Sequence, residues 1–297
     1  MKKSGEKTGK KRRVWPIVLL LIAAAAAAVC AAASGFWLHF GTDQECTLVQ
    51  GDGFSIEATI DGKYISKEEM DQYVIKRIRK AEKKLSLTPM KEMDADTMLA
   101  KLTDEKMDMG EDAIKEKLSK EIKLCDTATG AVIRLSGGKR KCCITEVEVT
   151  GVDLDTFLDE FDRLQSENSE ENLRANLGVE PDHYYLGATE DGRLEVIEAC
   201  GSNALPTEMF ITYGDETGLR SEWESDQYEQ ERAGAARLQT EVVQGGVRHQ
   251  FTKTENGFKA KLLVEFPSAT PDYIIKNHQM HLACEFSNWV KYAAEHR

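Results

Sequence analysis

The chain has 297 residues, with 39 Lys and Arg against 51 Asp and Glu, a formal charge of −12. That balance argues against nucleic acid as a partner and against docking on an anionic membrane face. The length is sufficient to bury a sizeable core.

The charge is unevenly spread. Residues 1–13 carry Lys2, Lys3, Lys7, Lys10, Lys11, Arg12 and Arg13 against Glu6 alone, a basic tail. Residues 14–40 then contain no Asp, Glu, Lys or Arg, and Trp15 and Trp37 stand near the two ends. About 20 apolar residues suffice to cross a bilayer, and indole rings favour its interfaces. This pattern predicts one transmembrane helix acting as an uncleaved signal anchor. The basic tail is then cytoplasmic, and everything after the helix extracytoplasmic, in a cell membrane with single-pass topology. A cleaved signal peptide is the alternative, with Ala31-Ala32-Ala33 before Ser34 as the cut. Lipidation of Cys30 fits less well, because Val29 stands where a small residue belongs.

Beyond residue 13 the chain holds 32 basic and 50 acidic residues. Cys46, Cys125, Cys142, Cys143, Cys200 and Cys284 allow fifteen pairings, among which sequence cannot choose. There is no C-x-x-C and no Asn-x-Ser/Thr sequon, which favours a bacterial envelope over a eukaryotic secretory route.

Residues 41–53 read as a linker. Ile56, Ala58 and Ile60 alternate with polar residues up to Asp61-Gly62, a tight-turn dipeptide. Ser66 and Glu69 have capping-box spacing and open a helix with Met70, Tyr73, Val74, Arg77 and Ile78 on one face. Pro89 ends or interrupts it, and helices follow around 95–102 and 111–124. A composition change near Gly130 predicts a hairpin of strands 131–135 and 142–149. Leu154, Phe157, Leu158, Phe161 and Leu164 mark a strongly amphipathic helix, which 168–177 extends or follows with a second. Strands are expected at 193–199 and 209–212 and a polar helix at 223–241. A hairpin of 247–253 and 258–266 flanks Asn256-Gly257. Pro271 starts a last helix with Ile275, Leu282, Phe286, Trp289 and Ala293 inward. The expected fold is α+β: the anchor, then an extracytoplasmic helical region (54–129), then a mixed strand and helix region (130–297) that includes the C-terminal helix.

The last helix also carries the candidate metal ligands His278, His281, Cys284 and Glu285. Positions 278, 281 and 285 share one strip, and imidazole, thiolate and carboxylate all bind zinc. A structural zinc site needs four ligands, usually from two elements. Nothing near in sequence supplies a matched pair, so an amphipathic helix with polar flanks is the plainer reading. Ser136-Gly137-Gly138-Lys139-Arg140-Lys141 lacks phosphate-loop spacing. Asp153, Asp155, Asp159 and Glu160 do not fit an EF-hand loop, and acids are expected in the first turn of a helix. Vicinal Cys142 and Cys143 are expected on opposite faces of a strand. No nucleophile motif is present, so no catalytic residue and no cofactor is predicted, and the reading leans away from an enzyme.

Ala58-Thr59-Ile60-Asp61-Gly62-Lys63-Tyr64-Ile65-Ser66-Lys67-Glu68-Glu69-Met70 resembles the opening of the chaperone domain in SurA/PrsA-type foldases: strand, turn, Ser cap and an acid three residues on. The resemblance covers roughly 25 residues, to about Lys80. It implies a helical chaperone domain against which a C-terminal helix can pack. No parvulin domain is recognised, so isomerase activity is not implied and no site residue is carried over. Met70, Met90, Met93, Met98, Met107 and Met109 suit either promiscuous apolar binding or a core. The expected function is a membrane-anchored extracytoplasmic binding protein of a bacterial cell envelope, chaperone-like, of a kind found in Gram-positive bacteria, with a protein or peptide partner. The alternatives are a structural subunit of an envelope assembly and a metal-dependent enzyme or sensor on the last helix.

Overall fold

A computed structural model describes residues 46–296. Their organising element is one ten-stranded antiparallel sheet. Its strands are β1 (Thr47–Gly51), β2 (Phe54–Ile60), β3 (Lys63–Tyr64), β4 (Arg140–Thr150), β5 (His183–Ala188), β6 (Leu194–Glu198), β7 (Thr207–Tyr213), β8 (Gln230–Arg237), β9 (Val243–Thr254) and β10 (Gly257–Pro267). The order is β1-β2-β4-β10-β9-β8-β7-β6-β5, with β3 beside β2. Six helices accompany it: α1 (Lys67–Leu85), α2 (Ala95–Met109), α3 (Glu111–Ser136), α4 (Leu154–Ser166), α5 (Glu170–Gly178) and α6 (Asp272–Glu295).

This corrects the expected fold class. A helical region followed by a separate mixed region is not what forms, because β2 pairs with β4 and so joins residues 54–60 to the same sheet as the rest. No described helix is long and apolar enough to cross a membrane. The fold therefore lends no support to the membrane, single-pass and signal-anchor readings, and the segment 14–40 on which they rest lies outside the described residues.

Local rules held where side chains act on their own backbone. Ser66 caps α1 with the complete capping box: its Oγ accepts from Glu69 N at 3.2 Å, and Glu69 Oε2 accepts from Ser66 N at 3.0 Å. The amphipathic stripe at 154–164 forms α4, and all five apolar positions are buried. A separate helix, α5, follows it. Asn256 lies in the β9–β10 turn, but Gly257 already pairs with Thr254, so the turn is residues 255–256.

Three assignments fail, the first being the expected linker, whose residues 47–51 form β1 and pair with β2. Residues 131–135 form the end of α3 rather than a strand, because a helix already 20 residues long continues at one hydrogen bond per added residue. The alanine-rich stretch 232–237 reads as helix by propensity, yet it is β8, in the middle of the sheet. Gly234 fits that place: a Cβ there would lie 2.8 Å from Thr212 O on β7.

Along β4, Cys143, Thr145, Val147 and Val149 are buried while Cys142, Glu146 and Glu148 are exposed, the alternation of a sheet covered on one face. The vicinal cysteines thus point to opposite faces, as expected. Cys125, Cys142, Cys143, Cys200 and Cys284 are thiols, not disulfides. On the covered face α6 runs against β4: Thr145 Oγ1 donates to Gln279 O at 2.8 Å, and Gln279 Nε2 donates to Ile144 O at 2.9 Å. The six methionines expected between residues 70 and 110 are buried or half-buried, Met70 and Met98 within the core itself.

Candidate metal centre

Four ionisable side chains that sequence spreads over 103 positions meet on the covered face of the sheet. His183 is the first residue of β5, and Glu198 is the last of β6. His281 and Glu285, one turn apart, come from α6. Their exposures are 0%, 4%, 0% and 8%. Burying this many ionisable groups is costly unless they are paired or hold an ion.

The donor atoms converge. His183 Nε2 lies 3.2 Å from His281 Nε2. Glu285 Oε2 lies 3.3 Å from the first and 3.4 Å from the second, so the three atoms form a nearly equilateral triangle. Ligands of a tetrahedral ion held at 2.0–2.1 Å are about 3.3–3.4 Å apart; cis ligands of an octahedral ion at that distance are only about 2.8–3.0 Å apart. The triangle matches one face of a tetrahedral zinc-type site. Glu198 Oε2 makes a second triangle on the same His–His edge, 3.4 Å from His183 Nε2 and 3.2 Å from His281 Nε2. The two carboxylates belong to different sets of mutually close donors: His183, His281 and Glu285 in one, Glu198, His278 and His281 in another. An ion in the first triangle therefore has a fourth position that Glu198 or an outside molecule can take.

The groups behind the donors orient them. His183 Nδ1 is 3.0 Å from Asn176 O. A carbonyl only accepts, so Nδ1 carries a proton, and the ring in its neutral form presents the Nε2 lone pair to the centre. Asn176 is itself held, donating to Leu164 O at 2.7 Å and accepting from Trp289 Nε1 at 3.2 Å. His281 Nδ1 faces the buried Glu180 at 3.9 Å, and Tyr73 donates to the same carboxylate at 3.2 Å. At 3.9 Å Glu180 attracts the imidazole without a hydrogen bond, and His281 Nδ1 has no hydrogen-bond partner among the described residues. Cys200 donates to Glu198 Oε1 at 2.7 Å.

The backbone carrying His183 is braced by two buried cations. Arg77 of α1 makes a two-pronged bond to Asp182 at 2.5 and 2.6 Å. Lys106 of α2 donates to Pro181 O and His183 O at 2.9 and 2.5 Å. Burial pushes the Lys106 ammonium down to about 7, against the pull of Asp182 and Glu180. Glu198 is placed by the turn after it. Gly201 adopts φ 54°, and a Cβ there would lie 2.1 Å from Ile274 O, so only glycine lets this turn meet α6.

Charge at the centre is complementary. Burial raises the carboxyl of Glu285, but the neighbouring His281 and the hydrogen bonds of both histidines outweigh it and hold it at about 2. Glu198 is held low by the same pair. Burial lowers the His183 imidazole, and Glu198 and Glu285 more than reverse this, to about 9. The carboxylates thus draw positive charge to the space between the two Nε2 atoms, charge that protons or a divalent cation can supply.

Of the four ligands foreseen on the last helix, His281 and Glu285 join the centre. His278 stacks on His281 with ring centroids 4.6 Å apart, and its Nδ1 accepts from Gly201 N at 3.3 Å. Cys284 turns away and donates to Val179 O at 3.4 Å. Sequence reading missed His183 and Glu198. A clue was present: the chain has only six histidines, and Glu198 directly follows the apolar pair Val196-Ile197 at the end of a strand. A scan against models of known protein families finds no match for this chain, and a search of curated proteins finds no significant similarity, so the centre is read from its own geometry.

Proposed function

We propose that this chain is a metal-dependent protein that holds one zinc-type divalent ion through His183 Nε2, His281 Nε2 and Glu285, with Glu198 beside the fourth position. The observation that carries the reading is the buried triangle of donors with sides of 3.2–3.4 Å, its His183 tautomer fixed by Asn176 O. A cation in that place neutralises two buried carboxylates that otherwise need protons on the imidazoles. Zinc bound through three protein ligands acts as a Lewis acid on a molecule in its fourth position. The packed methionines offer no comparable support for a client-binding surface.

The test is metal content. The full chain, purified without a histidine tag and offered a mixture of divalent ions, is expected to retain about one equivalent of zinc per chain. His183→Ala and His281→Ala should each weaken retention by more than the 10–100-fold typical of losing a partner behind a ligand. His296→Ala, at an exposed histidine on the helix end, should retain it fully. A content well below one equivalent after reconstitution rejects the proposal.

A further inference from the structure

Whether Glu198 or an outside molecule takes the fourth position depends on how Glu198 is fixed. In the sheet it pairs with His183 on one side and Thr207 on the other, so its backbone is locked between β5 and β7. Its Oε1 accepts from Cys200 at 2.7 Å, and its Oε2 is the atom that meets the two imidazoles. Two ligands of one ion at 2.0–2.1 Å lie at most about 4.2 Å apart. Among the described residues, Glu198 and Glu285 do not share a set of donors lying within 4.8 Å of one another. An ion bonded to His183, His281 and Glu285 therefore leaves Glu198 outside bonding reach.

What takes the position comes from the cavity that His183, Glu198 and Glu285 line at one end, a space of about 90 Å³. Much of its remaining wall is apolar, including Leu194, Val196, Ile211 and Phe266. A water molecule has a share of about 30 Å³ in the liquid, and a buried one needs two to four polar partners. The end of the cavity at the centre supplies two of them: an ion that binds the water oxygen and a carboxylate that accepts a hydrogen. The apolar stretch of wall supplies none.

We propose that the metal's fourth position holds a water molecule and that Glu198 is its positioning residue, accepting a hydrogen bond from it through Oε2 rather than binding the ion. The centre is then of the open, catalytic kind, and water is the group it presents to a small molecule entering the cavity. This rests on the zinc-type reading of the centre, and the experiment separates the two. The full chain is loaded with Co²⁺ and its metal content is measured. The low-temperature EPR signal of the bound cobalt is recorded in ordinary and in ¹⁷O-enriched water. Broadening by the isotope is expected, because one oxygen on the ion comes from solvent. Azide is then titrated and followed by the visible absorption of the cobalt. Azide is an anion with no hydrogen to give, so the Glu198 carboxylate opposes its taking the water's place. Glu198→Gln removes that charge and should bind azide about tenfold more tightly or better, with cobalt content still at about one equivalent. An EPR signal that ¹⁷O leaves unchanged overturns the bound water and leaves the metal centre standing. Loss of cobalt by a folded Glu198→Gln also overturns the proposal, because it makes Glu198 a ligand, as does an azide affinity that the substitution does not raise. The isotope measurement needs no variant and decides alone if the substitution disturbs folding. Failure of the unaltered chain to take up cobalt overturns the centre and its water together, and it is read from the metal content.

Discussion

The last helix belongs to two cores built on different physics. Its C-terminal half enters an aromatic cluster: Phe286 and Trp289 sit 5.6 and 5.2 Å from Phe161, and Phe161 continues at 5.8 Å to Phe157, which stacks on Phe258 at 5.1 Å. Its middle turns enter the polar core of His281, Glu285, His183 and Glu198, with Arg77, Asp182, Glu180 and Lys106 behind it. The aromatic core is stabilised by area removed from water and by ring contacts, which are tolerant of small shifts. The polar core is stable only when each member keeps a directional partner. The contrast predicts that truncation in the first is a loss of packing, whereas truncation in the second strands a charge.

The largest effects test that difference directly. Phe161→Ala should cost about 3–5 kcal/mol, the range for deleting a buried aromatic ring. Arg77→Met should cost about as much, 3–5 kcal/mol, because Asp182 stays buried at 0% exposure without its ion-pair partner. The double variant Arg77→Met/Asp182→Leu separates the cases: it should be more stable than Arg77→Met alone in urea unfolding. A double variant no better than the single would mean that the bond itself, rather than the stranded charge, carries the cost.

That difference also explains what was legible in the sequence. Leu154, Phe157, Leu158, Phe161 and Leu164 declare α4 because one periodic stripe needs only a surface to face. Ser66 and Glu69 declare the start of α1 because both partners lie within four residues. The polar core has no such local signature. His281 and Glu285 were visible as candidates on one strip, but His183 is 98 positions from its ring partner, and only the antiparallel path through β5 and β6 brings it and Glu198 to the helix. Strand β8 was misread for a related reason: what makes Arg232–Arg237 a strand is its place between β7 and β9, which no neighbour in sequence records.

His249 lies where the two cores meet, its ring against Phe286 at 4.8 Å and its Nδ1 buried without a hydrogen-bond partner among the described residues. Burial pushes this imidazole down to about 4, with only Glu285 opposing. In the unfolded chain it titrates near about 6.5. The folded protein is therefore unaffected above about pH 6.5, loses stability as pH falls and the unfolded chain takes up the proton, and carries the full penalty, about 3 kcal/mol, below about pH 4. His249→Phe should flatten the loss of stability between pH 6.5 and 4, measured on metal-free protein so that ligand protonation does not enter through metal release. An unchanged acid limb would assign it to other groups.

The smallest expected effect asks how far the two cores sense the rest of the chain. Ser66→Ala removes one side-chain acceptor from the first turn of α1 and should cost about 1 kcal/mol. Arg77 lies on the same helix, 11 residues on and about 16 Å along its axis. Between them Met70 and Val74 dock α1 onto the core at 6% and 5% exposure. With that packing in place, fraying of the first turn has no path to the Arg77–Asp182 bond except through loss of the whole helix. Ser66→Ala is thus expected to lower the unfolding midpoint without changing zinc affinity, whereas Arg77→Met should lower both. A zinc affinity that falls with Ser66→Ala would show α1 opening as one unit from cap to brace, and would extend the polar core's demand for intact partners to the first turn of the helix that supports it.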